Sequence, residues 1–197
     1  MAKLAIATLV LALASGLGMA HAAEPRETMP LSEAENTLRQ SLQEALWPAD
    51  IMRLSSEYLR QYPRGAWADA SRLLYERARD SMRILARTDV HLYKTAFRPG
   101  AAPLEVKTDI RKAALGDQDA AIRLAHWSRQ TDKDGNEAGT RYVGWLQFAS
   151  LLGNDRASYE LALHFRQLDQ PALAALYEAR AVALGYVLPT ALDNVRK

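Results

Sequence analysis

Apolar residues return every three or four positions through most of the chain beyond residue 30, and alternation of apolar and polar residues never lasts for more than a few positions. Ile51, Leu54 and Tyr58, for example, would lie on one face of a helix. Alanine, leucine, arginine, glutamate and glutamine dominate, which favours helix over strand. The pattern predicts an all-α protein. The predicted helices span residues 32–46, 48–61, 66–93, 104–114, 117–129, 140–152, 154–168, 171–184 and 189–196.

Local signals mark several helix ends. Ser32 and Glu35 form a capping box, which predicts the start of the first helix. Pro48 suits the first turn of the second helix, and the Tyr62–Gly65 turn ends it. Residues 99–103 contain two prolines and a glycine and cannot continue a helix. This break separates a predicted N-terminal helical segment, 31–98, from a second segment, 104–197.

The second segment repeats itself. Leucine–glycine pairs recur at 115–116, 152–153 and 184–185, which are 37 and then 32 residues apart. Small or large apolar residues hold equivalent places around the glycines: Ala120 and Ala157, Leu124 and Leu161, Ala125 and Ala162, Trp145 and Tyr177, and Ala149 and Ala181. Small residues let paired helices approach closely, and glycine ends one helix before a tight turn into the next. The spacing therefore predicts antiparallel helix hairpins that cover one another's apolar faces.

The motif Ala149-x-x-x-Gly153-Asn154-x-x-Ala157-x-Tyr159-x-Leu161-Ala162-x-x-Phe165 resembles the first helix of a Sel-one-like repeat, a relative of the tetratricopeptide repeat. The segment from Leu176 to Gly185 resembles the second helix of that repeat. The likeness covers residues 111–193, and the turn at 58–70 is similar to tetratricopeptide turns. The resemblance implies a short α-solenoid whose concave surface, lined by the first helix of each hairpin, binds another protein.

The chain departs from the family pattern in several places. Ala125 and Ala162 stand where the family prefers glycine, and the loop at 130–139 is irregular. Asp193 takes the place of a leucine after Gly185. That change fits a polar C-terminal capping helix at the end of a solenoid.

The N-terminus has the pattern of a secretory signal peptide. A short basic start with Lys3 precedes an apolar run from Leu4 to Ala14, and Ala20-His21-Ala22 fits the small-x-small cleavage rule. An uncleaved membrane anchor is the competing interpretation, but the run falls short of the roughly 20 residues that span a bilayer. We expect residues 1–22 to be removed, residues 23–30 to form a flexible lead, and the mature protein to be periplasmic without an integral membrane segment.

Charge and cysteine content exclude several classes of protein. The whole chain has 25 basic and 23 acidic residues and no cysteine. Such balance argues against a protein that binds nucleic acid, and no disulfide can stabilise the fold. The sequence has no phosphate-binding loop, nucleophile elbow or cysteine nucleophile, so we expect no enzymatic activity and no cofactor.

Metal binding is not expected either. His91, His126 and His164 are scattered without a second ligand at helical spacing. The stretch Asp132–Glu137 begins like a calcium loop, but glutamate stands at its sixth position, where such a loop needs glycine, and Val143 stands at the twelfth, where it needs glutamate. A solvated loop is the simpler interpretation.

The geometry implied by the resemblance selects candidate contact residues. Arg123 and Glu160 lie seven residues after their glycines, and we expect both to project from the concave face. His126 and His164 would lie along its edge. We expect the chain to act as an adaptor or as an immunity-type inhibitor and to bind another envelope protein. The alternative is an accessory or regulator of cell-wall or polysaccharide machinery that contacts glycan or peptidoglycan through exposed aromatic residues. The arginine-rich stripe at 72–87 and the 130–139 loop are further candidate surfaces.

Overall fold

The computed structural model of the chain describes residues 32–131 and 136–189, and of residues 136–139 it describes the backbone alone. The predicted signal peptide, the flexible lead and the calcium-like stretch at 132–135 lie outside the described residues. So does nearly all of the predicted capping helix at 189–196.

The described residues form eight α-helices and one 3-10 helix, and no strand occurs among them, so the predicted all-α class is confirmed. Neighbouring helices pack in succession, as they do in an α-solenoid. The helices are α1 (Glu33–Glu44), α2 (Pro48–Gln61), α3 (Ala68–Leu85), α4 (Leu104–Ala114), α5 (Gln118–Thr131), α6 (Asn136–Leu151), α7 (Asp155–Gln167) and α8 (Pro171–Ala183), and the 3-10 helix is Lys94–Phe97.

The three leucine–glycine pairs end helices in the same way. Gly116, Gly153 and Gly185 adopt φ values of +88°, +108° and +103°, which a residue with a Cβ atom rarely adopts. In each turn the residue after the glycine donates its N–H to the carbonyl of the residue five places before itself. Asn154, for example, donates to the Ala149 carbonyl at 3.0 Å. This is the Schellman arrangement, which satisfies carbonyl groups left free at a helix end. Asp169 makes the corresponding turn between α7 and α8 with φ of 54°.

The helices pair most closely as α2 with α3, α5 with α6, and α7 with α8. Helix α4 packs against α5, and contacts of α6 with α7 join the last two pairs. The small residues predicted at the helix contacts are completely buried: Ala120, Ala125, Ala149, Ala157, Ala162 and Ala181. Alanine at these places lets the helix backbones approach closely, because a larger side chain would hold them apart.

The predicted helix at 66–93 is too long, since α3 ends at Leu85. Residues 86–93, which we call the strap, leave the helix through a turn in which the Arg87 side chain donates two hydrogen bonds of 2.8 Å to Asp89. The strap then buries Val90 and Leu92 in the core. A continued helix would have carried both side chains away from α6.

The strap is held against α6 by its backbone. The His91 N–H donates to the side-chain carbonyl oxygen of Gln147 at 3.0 Å. Gly144 allows the close approach, because a Cβ atom at that position would lie 2.5 Å from the His91 carbonyl oxygen and 3.3 Å from the Leu92 Cβ.

An aromatic cluster joins the N-terminal helices to the repeat segment. The Phe97 ring lies 4.9 Å from the ring of Trp47, which precedes α2, and 4.9 Å from that of Trp145 on α6. Phe148 completes the cluster at 6.5 Å from Phe97. Edge-on and tilted contacts of this kind add to the stabilisation that burial provides.

A polar contact organises the turn between α2 and α3. The buried Tyr58 hydroxyl donates to the Glu35 carboxylate at 2.5 Å and accepts the Trp67 N–H at 3.1 Å. Burial, followed by the hydrogen bond to Glu35, raises the pKa of Tyr58 to about 12. Gly65 lies against both side chains, and a Cβ atom there would come within 2.7 Å of the Tyr58 hydroxyl oxygen.

None of the helices in the described part of the chain combines the length and the apolar character that crossing a membrane requires.

The strap contact yields a prediction about stability. Replacing a helical glycine by alanine ordinarily stabilises a helix by about 0.5–1 kcal/mol. We expect Gly144→Ala to do the opposite and to destabilise the protein by about 1–3 kcal/mol, because the new methyl group would collide with the His91 carbonyl, a backbone group that cannot rotate away. Urea unfolding monitored by circular dichroism measures the difference.

Gly100→Ala is the comparison variant. A Cβ atom at Gly100 meets nothing within 4 Å, so only the positive φ opposes the change, at about 1–2 kcal/mol. A Gly144→Ala protein as stable as the wild type, or more stable, would contradict the strap geometry.

Candidate functional site

A groove opens beside α5 and α7, with the N-terminal part of α6 at one side. Its volume is about 480 Å³. We call it the α5–α7 groove, and its lining residues are His126, Arg129, Tyr142, Arg156, Glu160, Leu163, His164 and Gln167. The contributions from α5 and α7 are three or four residues apart, so each helix presents them on one face.

The buried positions of the helices fix the direction of the groove side chains. In α7, Ala157, Leu161 and Phe165 pack into the core. The residues one place before Leu161 and Phe165, Glu160 and His164, consequently emerge at the border of the core and the groove. Asn154 caps α7 by accepting the Ala157 N–H at 2.8 Å, which fixes the start of the helix and hence its register.

The Glu160 carboxylate is the polar centre of the groove. It lies 2.8 Å from the His126 Nε2 and 3.2 Å from the Arg156 Nε, and the Tyr142 hydroxyl donates to it at 3.4 Å. The side chain is only 18% exposed, so its charge is largely covered by these partners. The pair of His126 and Glu160 also connects α5 to α7.

Aromatic residues and a cation form the wall next to this centre. The Arg129 guanidinium lies over the Tyr142 ring, 5.5 Å from its centroid, and the His164 ring meets the same tyrosine at 6.1 Å in an edge-on contact. Burial, followed by the Glu160 carboxylate, raises the pKa of Tyr142 above its ordinary value. Burial, followed by the charge of Arg129, lowers the pKa of His164.

The structure brings three of the four predicted contact residues together. His126, Glu160 and His164 line the groove, whereas Arg123 lies outside the lining and donates two hydrogen bonds to Asp109 of α4 at 2.7 and 2.9 Å. Glu160 lines the groove, and its hydrogen bonds hold its carboxylate against His126 of α5 and Tyr142 of α6. The Arg123 side chain is half exposed and is committed to an ion pair.

Sequence reasoning missed several groove residues. Arg129 lies one turn beyond His126, and Arg156 lies one turn before Glu160, so helical spacing around the predicted residues could have found both. Tyr142 could not be found in this way, since its place depends on how α6 packs against α5 and α7.

The groove carries an excess of positive charge. Arg129 and Arg156 contribute two cations, Glu160 contributes one anion, and the two histidines can add charge on protonation. Within the part of the chain that the structure describes, no three histidine, cysteine or carboxylate side chains gather as metal ligands would. The arrangement suits recognition of a polar or anionic group at the protein surface.

Single apolar side chains are also exposed on α8. Leu176 is 60% exposed, Val182 is 51% exposed and Leu173 is 39% exposed. Leu173 and Val182 lie on opposite sides of the helix, so these residues do not form one surface.

The fold defines a class, an all-α protein of successively packed helices, and the α5–α7 groove is a polar groove on its surface. Comparisons of the chain with protein-family models, with characterised proteins and with solved structures give no match.

The lowered pKa of His164 predicts how stability depends on pH. An unfolded histidine titrates near about pH 6.5. The pKa of His164 is lower in the folded protein, so the unfolded chain takes up a proton at this site first as the pH falls. The stability that neutral His164 contributes is therefore complete above the unfolded pKa. It is lost as the pH drops from there through the folded pKa. We expect His164→Gln to lose less stability than the wild type between pH 7.5 and 4.5, as measured by urea unfolding.

His91→Gln provides the control for removal of a histidine, since His91 is an exposed residue of the strap and lies outside the groove. Identical pH profiles of the wild type and His164→Gln would show that His164 does not take part in this dependence.

Proposed function

We propose that the chain is an exported, non-enzymatic module that binds another envelope protein through the α5–α7 groove, as an adaptor or as an immunity-type inhibitor. The observation that carries the proposal is the convergence of charged, polar and aromatic side chains from three helices on one open groove.

The character of the lining favours a segment of a protein over an enclosed small molecule. Small-molecule sites are lined mainly by apolar side chains and bury most of the ligand. The groove is lined by charged or polar residues apart from Leu163 and the Tyr142 ring. Surfaces of this kind recognise polar peptide groups, with a few apolar contacts at the centre.

The helical placement of the site supports binding without large rearrangement. Glu160 and His126 hold each other in place, and Arg129 is ordered over Tyr142. Side chains that are already ordered lose less conformational entropy when a partner binds.

The turns support the proposed Sel-one-like architecture. The Schellman turns at Gly116, Gly153 and Gly185 share one hydrogen-bond pattern, and buried alanines follow the first two at the same distance. In such a repeat array the first helices of the hairpins, here α5 and α7, line the binding surface. The groove lies beside these two helices.

Export is the second part of the proposal and rests on residues 1–22. We expect the intact mass of protein from a periplasmic extract to correspond to a chain beginning at Ala23, because Ala20 and Ala22 provide the small residues that signal peptidase requires. A full-length mass in the membrane fraction would show that the segment is an anchor.

Partner capture tests the groove. The chain from Ala23, immobilised and exposed to envelope extract, should retain a specific protein that mass spectrometry identifies. Leu163→Asp should reduce that capture by about tenfold or more, because a bound partner would bury the new carboxylate. Leu173→Asp is the matched control, since Leu173 on α8 has nearly the same exposure, 39% against 38% for Leu163, and lies outside the groove.

Purified cell wall, added as a competitor, decides between the two functions. Capture that survives the competitor and fails in Leu163→Asp supports the protein-binding module. Displacement by cell wall would favour an accessory or regulator of cell-wall machinery. Capture that is equal in both leucine variants would exclude the groove as the contact surface.

A further inference from the structure

Arg129, one of the two arginines that line the α5–α7 groove, differs from the other cations of α5 and α7. Arg123 is paired with Asp109, and Arg166 with Glu178. Among the described residues, no carboxylate lies within ion-pair distance of Arg129, whose contacts are with the ring and the hydroxyl group of Tyr142. A guanidinium has five N–H donors, so an exposed arginine that contacts one tyrosine keeps most of them available to a ligand.

Arg156 is similarly available. Its side chain is 68% exposed, and it contacts Glu160 through Nε at 3.2 Å. Both terminal nitrogens of a guanidinium can still donate to another acceptor when Nε is engaged. The Glu160 carboxylate competes only weakly with an anionic ligand for Arg156, because its side chain is 18% exposed and is also bonded to His126.

The accessible charge of the groove is consequently positive, with one aliphatic side chain beside it. Leu163 is 38% exposed and lies on the same face of α7 as Arg156 and Glu160. An anionic group next to an apolar one would complement this arrangement. An extended nucleic acid backbone would need a larger basic surface than two arginines in a chain of nearly balanced charge.

We propose that the α5–α7 groove binds an acidic peptide segment of its partner, with a glutamate or aspartate carboxylate accepting hydrogen bonds from Arg129 and Arg156 and a neighbouring apolar side chain packing on Leu163. The inference rests on the proposed protein-binding function and specifies the chemistry of the partner. Charge-assisted hydrogen bonds to guanidinium groups supply the preference for a carboxylate over an uncharged amide.

The test uses a defined probe and the chain from Ala23. A fluorescein-labelled hexapeptide of alternating glutamate and leucine, with blocked termini, is titrated against the protein and followed by fluorescence anisotropy. The same peptide with glutamine in place of glutamate measures the contribution of the charge. We expect the glutamate peptide to bind about tenfold more tightly at low salt, and the difference to shrink as sodium chloride is added.

Variants connect the preference to the groove. Arg129→Gln combined with Arg156→Gln should abolish the discrimination between the two peptides, and the exposure of both side chains should leave the fold, monitored by circular dichroism, unchanged. Arg60→Gln removes an exposed cation from α2, which does not line the groove, and should keep the discrimination.

Equal affinity for the two peptides, failure of both to bind, or discrimination that survives the double arginine variant would overturn the inference. These results are distinguishable from failure of the proposed function. Equal peptide affinities with an envelope protein still captured through Leu163 would refute the acidic segment alone. Absence of any captured protein would refute the binding module itself.

Discussion

The burial of Phe97 between Trp47 and Trp145, together with the strap that lies against α6, connects the two halves of the described fold. The chain has no cysteine, so packing rather than a disulfide must hold these elements together. The break at 99–103 begins two residues after Phe97, and α4 begins directly after the break. The buried Trp145 lies on α6, and the N-terminal part of that helix borders the groove.

The groove is a consequence of close helix packing beneath it. Completely buried Ala125 and Ala162 lie on α5 and α7 next to His126 and Leu163. Both helices pack against α6, and this shared neighbour places them so that the His126 and Glu160 side chains meet at 2.8 Å. The polar contact at the surface therefore depends on how α5 and α7 each pack on α6.

Local chemistry in the sequence predicts much of this fold and less of the site. Helix α4 was predicted over the residues that form it, because the proline-rich break and Gly116 limit it on either side. The end of α3 was missed, since the strap is held by Gln147, 56 residues further along the chain. Equivalent repeat positions selected both Glu160, which lines the groove, and Arg123, whose ion pair with Asp109 of α4 depends on tertiary packing that the repeat pattern does not contain.

The matching turns at Gly153 and Gly185 make the segment between them a self-contained building block. The two turns share one hydrogen-bond pattern and similar glycine φ values, +108° and +103°, although α7 begins directly after the first turn and residues 186–189 after the second are not helical. A tandem copy of the 32 residues that separate these glycines would begin after a glycine turn of the same kind as the original. A hairpin inserted there would lengthen the protein without disturbing the aromatic cluster around Phe97, which lies outside the copied segment.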